Sequence, residues 1–230
     1  MSTIVPHHQF EIRYTTILDF PNVIRTPIAP FVKLARRINI DNEGSHNERI
    51  TLAFDDEYYQ IIITWDRIII RYEGDKDNLS KNNSIIEEPF FNILGKIRDL
   101  NNFGEINNIL YYSFIIHKLD IEKEELLIKF ISKYLNSTPK IINNPTDVAV
   151  TLDNNVEGKQ ITLTFGPYFG EDDLKKRNII VKNPEVNELA KDMGLCCEFK
   201  FHNLLKTVNF TDYKEITETE KGYIQKIWEL

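Results

Sequence analysis

Phe10, Ile12 and Tyr14 alternate with Glu11 and Arg13, the period of a half-buried strand, and predict one over residues 9–17. Thr26-Pro27 then offers an N-cap with proline at the first helical position. Phe31, Leu34, Ala35 and Ile38 recur behind it on one helical side. Past a polar loop at 41–47, strands are expected at 49–54, 58–65 and 67–73, with a hairpin turn at Asp55-Asp56-Glu57 and Gly74 as the stop. Ser84 and Glu87 have the spacing of a capping box before a helix carrying Phe90, Phe91, Leu94, Ile97 and Leu100.

Residues 108–118 are strongly β-prone, and 122–135 is an amphipathic helix with Leu126, Leu127, Phe130, Ile131 and Tyr134 inward. The polar, proline-containing stretch 136–145 is the softest part of the middle of the chain and sets an expected boundary, with domains at 1–138 and 139–230. Beyond it a hairpin is expected at 147–152 and 160–165. A short strand at 178–182, a short helix at 184–192 and a long strand at 195–205 follow. A closing helix is expected at 216–228, with Thr217 and Glu220 read as its capping box. Each half mixes antiparallel strands with helices. The expected fold is therefore α+β in two subdomains, each a mostly antiparallel sheet with helices packed on one face.

Composition narrows the function. The 230 residues hold 28 Lys+Arg against 35 Asp+Glu, a net charge of −7. That balance argues against general nucleic-acid binding, which needs a surplus of cations. The one local basic cluster, Lys175-Lys176-Arg177, follows Glu171-Asp172-Asp173 and is largely cancelled by it. No run of about 20 apolar residues suggests a membrane span, and the N-terminal residues lack the charged and apolar regions of a signal peptide. The adjacent Cys196-Cys197 pair is a poor staple and fits free thiols in a reducing compartment, so a cytoplasmic protein is expected. The 33 isoleucines and 22 asparagines point to an AT-rich genome, bacterial or phage.

Candidate chemistry is sparse. His7-His8 reads as part of a flexible N-terminal tail. His46 lies in a polar loop with Asp41, Glu43 and Glu48 but without metal-ligand spacing, and His117 and His202 read as strand packing residues. Strand alternation turns one of the two cysteines inward and the other outward. The acidic clusters 55–57 and 171–173 read as solvated turns. Gly166-Pro167-Tyr168-Phe169-Gly170 is a turn-like loop without the spacing of a phosphate cradle. No catalytic motif, metal site or cofactor is indicated. Aromatic residues on strands and loops supply the candidate partner-binding positions Trp65, Tyr111, Tyr168 and Phe169.

Four segments carry a family likeness: Phe10-Glu11-Ile12-Arg13-Tyr14, Ile68-Ile69-Ile70-Arg71-Tyr72, Tyr111-Tyr112-Ser113-Phe114-Ile115, and Ile216-Thr217 ahead of 218–228. In this order they resemble a family of uncharacterised, sporadically distributed bacterial proteins of about this length. The resemblance spans nearly the whole chain and implies an architecture, with no active site to carry over. The expected function is a non-enzymatic protein-interaction or assembly protein of a bacterial accessory system (defence, antitoxin or immunity-like) or a phage, acting on a protein partner or by self-association. The alternative is a divalent-metal-dependent hydrolase or nuclease using acidic loop carboxylates. A weaker third reading places a small ligand or nucleotide in a cleft between the halves.

Overall fold

A computed structural model describes residues 3–54, 58–81, 86–135, 145–156, 158–204 and 208–228. Among these residues are nine strands: β1 (Thr3–Tyr14), β2 (Arg37–Asp41), β3 (Arg49–Phe54), β4 (Tyr59–Thr64), β5 (Arg67–Asp75), β6 (Ile106–Lys118), β7 (Val150–Val156), β8 (Lys159–Tyr168) and β9 (Gly194–Asn203). All pair antiparallel in one sheet of order β2-β3-β4-β5-β1-β6-β9-β8-β7. The helices are α1 (Phe20–Val23), α2 (Arg25–Val32), α3 (Lys76–Lys81), α4 (Asn92–Arg98, entered through a π-helical turn at Ile86–Phe91), α5 (Lys123–Tyr134), α6 (Glu171–Lys176), α7 (Pro184–Leu189) and α8 (Phe210–Trp228). The fold is α+β. Among the described residues no helix is long and apolar enough to cross a membrane.

Strand alternation explains the layering. Phe10, Ile12, Tyr14, Ile61, Ile63, Ile68, Ile70, Ile109, Tyr111, Cys197 and Phe199 share one sheet face. They form the main core with Phe20, Ile24, Ile28 and Phe31 of α1–α2, Ile93 and Ile97 of α4, Leu126 and Phe130 of α5, and Ile216, Ile224 and Ile227 of α8. A smaller core on the opposite face joins Ile4, Phe114, Ile116, Tyr168 and Cys196 to Leu174 of α6, Val186 of α7 and Ala190 just beyond α7. Fully burying each large apolar side chain contributes on the order of 1.5–3 kcal/mol.

The chain repeats a route. From β1 it passes through helices to the meander β2–β5 and back to helix, with β5 returning beside β1. From β6 it passes through α5 to β7–β9 and then α8, with β9 returning beside β6. The β1–β6 ladder joins the two routes at the centre of the sheet, so β6, on the N-terminal side of position 138, pairs with β9 on the other. Position 138 itself lies outside the described residues, as do the 55–57 turn and the Ser84 cap.

Several expectations are corrected. Helix α2 ends at Val32, and Ile38 belongs to the edge strand β2, paired with Leu52. Residues 178–182 form no strand. Strand β8 continues through Gly166-Pro167 to Tyr168, and β5 runs through Gly74 to Asp75. Helix α8 starts at Phe210, so Thr217 and Glu220 lie well inside it. The Thr217 hydroxyl donates to the Lys214 carbonyl, and Glu220 turns into the core. Both cysteines are buried and unbridged.

Gly194 opens β9 opposite Lys118 and Tyr168, where a Cβ would stand 2.1 Å from the His117 carbonyl oxygen. Gly194→Ala is therefore expected to push β9 off β6 and cost about 1–3 kcal/mol. A urea midpoint unchanged from wild type would contradict this.

Candidate functional site

His7 and His8 are not in a tail. They lie in β1 at a bulge between Val5 and His8, where the extra length changes the pairing with both neighbouring strands. His8 is buried. Its ring meets Tyr111 edge-on at 4.9 Å, and its Nε2 is 3.3 Å from the Tyr213 hydroxyl. Burial, with Lys76 nearby, holds the His8 pKa well below the ordinary histidine value. His7 is half-buried, with its ring edge-on to Tyr112 at 5.4 Å. Burial and the neighbouring Arg71 guanidinium lower its pKa to about 4, so it is neutral at pH 7.

His7 and His8 stand at one side of a cleft of about 580 Å³. Arg71, Tyr72 and Glu73 of β5, Gln60 and Tyr58 at β4, and Arg37 of β2 form its floor and far side. Register explains the floor, because Gln9, Arg71 and Gln60 stand opposite one another on adjacent strands. The Arg71 Nε donates to Gln9 Oε1 at 3.3 Å, and Arg71 makes no ion pair among the described residues. Burial and the positive charge of Arg49 lower its pKa.

The remaining wall is the 178–182 segment, contributing Asn178, Ile180 and Lys182. Glu73 anchors it: one carboxylate oxygen accepts the backbone N–H of Lys182 at 2.6 Å and of Asn183 at 2.9 Å. The Asn183 side chain then caps α7 by accepting from Glu185 and Val186. The one carboxylate lining the cleft among the described residues is thus engaged in holding the wall, whereas three lining side chains are cationic. A second hollow, at 118–125, has the opposite character. Asp120, Glu122, Glu125 and Asp192 line it, with Lys118 paired to Asp192 at 2.6 Å.

Of the four aromatic residues expected at a partner surface, Tyr111 and Tyr168 are buried. Tyr111 donates to Glu220 at 3.1 Å, and Tyr168 donates to the Ala190 carbonyl at 2.5 Å. Trp65 and Phe169 are half-buried. Trp65 sits in the β4–β5 turn with the His46 ring 4.7 Å away, and Lys123 lies over the Phe169 ring. His117 stacks on Trp228 at 5.2 Å.

The expected outward cysteine is also corrected. Cys196 packs in the smaller core, and burial pushes its thiol up to about 12. Burial raises Cys197 as well. Neither thiol has thiolate character at pH 7, so neither is a nucleophile there. The 171–173 cluster forms the first turn of α6. Asp173 is buried, accepts the Phe169 N–H at 2.8 Å and pairs with Lys176 at 3.0 Å. Among the described residues no three His, Cys, Asp or Glu side chains are grouped to hold a metal ion. Compared with models of known protein families and with curated proteins, the chain matches none.

Proposed function

We propose that the protein is a non-enzymatic interaction protein, working in the cytoplasm within a bacterial accessory system or a phage. Its two halves, 1–138 and 139–230, are subdomains that meet along the β6–β9 ladder. The observation that supports this reading is the outer edge of β2, against which no described strand pairs. Such an edge presents a row of unpaired N–H and C=O groups, and a partner protein docks there by adding a strand. Ile38 on β2 and Leu34 just before it are exposed at this edge and give the added strand an apolar contact. The net charge of −7 favours a basic partner. Trp65, in the turn at the Asp41 end of the β2–β5 meander, supplies an aromatic anchor.

The test is size-exclusion chromatography with light scattering on the protein alone and co-expressed with its genomic neighbours. A stable complex or defined oligomer is expected, and Ile38→Lys should abolish it without unfolding the chain. A lone monomer that recovers no neighbour would refute the reading.

A further inference from the structure

The cleft between β1, β4, β5 and the 178–182 segment has a charge opposite to that of the whole protein. We propose that it is a binding site for a phosphate-bearing small molecule, held by the Arg71 guanidinium and the Lys182 ammonium. Three features of the site support this, each independent of the free β2 edge.

First, the cleft is large enough. Pockets of roughly 300–1,000 Å³ enclose small ligands, and this one measures about 580 Å³. Second, its described lining is mostly cationic. The protein carries seven more acidic than basic side chains, yet among the described residues Arg37, Arg71 and Lys182 line the cleft with Glu73 as the one carboxylate. Glu73 spends one oxygen on two backbone N–H groups of the wall. Arg37 already has a polar partner. Arg71 and Lys182 make no ion pair among the described residues, and Arg71 is half-buried with Gln9 as its hydrogen-bonding partner. Glu11 and Glu73 act on the Arg71 guanidinium without pairing with it directly, and a bound anion would supply the direct partner that a half-buried guanidinium favours. Arginine's planar fork matches phosphate oxygens in pairs, and lysine adds a point charge.

Third, the rest of the lining is built for an organic body. His7 is neutral, and Tyr58 and Gln60 line the cleft with an aromatic ring and an amide that add no charge. A carboxylate in Arg71's place would reverse the site's preference. The wall is also held firmly, since Glu73 and Asn183 tie 182–183 to β5 while Ile179 N–H bonds back to Leu174. Lys182 is therefore held beside the cleft.

The experiment is isothermal titration of the full chain with ADP and with inorganic pyrophosphate, at low and at 0.3 M salt. Binding is expected for ADP, weakening with salt, with pyrophosphate competing for the same site. Arg71→Gln should weaken it at least about tenfold, and Lys182→Gln by roughly fivefold, the scale of a lost charge-assisted hydrogen bond. Lys182 is exposed, so its variant folds regardless and keeps the test decisive if Arg71→Gln fails to fold. No heat with either compound, or an affinity unchanged in Lys182→Gln, would overturn the proposal. Equal affinity for a glutamate-rich peptide would overturn the assignment to phosphate chemistry.

Discussion

Lys76→Met is expected to lower the free energy of unfolding by about 3–5 kcal/mol, the cost of leaving a buried charge without its partner. Glu220 comes from the middle of α8 and is fully enclosed between that helix and the sheet. Its carboxylate is paired with the Lys76 ammonium and accepts the Tyr111 hydroxyl at 3.1 Å, while its other oxygen has no partner among the described residues. Removing Lys76 strands the charge. Removing both is different, because apolar residues of similar volume replace a buried pair at little cost. Lys76→Met with Glu220→Leu should therefore recover most of the loss. Urea denaturation of the two variants reads this directly. A single-variant loss below about 1 kcal/mol, the value of an exposed pair, would contradict this.

Acid should destabilise the protein well above the carboxylate range. The His7 pKa is lowered to about 4 in the fold, against 6.5 in the unfolded chain. Below pH 6.5 the unfolded state takes up a proton that the folded state refuses, so stability is full above 6.5 and falls as pH drops toward 4. At pH 5 this amounts to about 2 kcal/mol from His7. His8, buried against Tyr111 and Tyr213, shifts in the same direction and adds to the loss. Urea midpoints between pH 7.5 and 5.0 should fall steeply for wild type and much less for His7→Gln with His8→Gln. Parallel slopes in the two proteins would contradict the assignment.

The sheet's central strands were legible because their pattern is local. Phe10, Ile12 and Tyr14 alternate without interruption, and so do Cys197, Phe199 and Phe201. The histidines of the cleft were not legible, since the bulge between Val5 and His8 breaks the period of two just where they sit. Ile38 misled in another way. Its spacing from Phe31, Leu34 and Ala35 suits a helix, yet its extended conformation comes from pairing with β3, a contact that no local window contains. Glu220 is the same lesson in charge. Thr217-x-x-Glu220 matches a capping box, but tertiary packing takes the glutamate into the core, where Lys76, 144 residues earlier, meets it. The cleft itself joins β1, β2, β4, β5 and residues 178–182, so only the folded chain brings Arg71 to Lys182.

The position of β1 carries a consequence for the order in which the chain is made. β1 precedes the other eight described strands in the chain, yet it sits at the middle of the sheet, between β5 and β6. Its first partner, β5, is complete only at Asp75 and its second only at Lys118, so Phe10 and Ile12 wait on the ribosome for both. In chain order the five strands from β2 to β1 are all available to pair before β6 emerges to meet β1. Until then the β1 edge is open to neighbouring nascent chains, the interval in which a chaperone is of most use to a protein built this way.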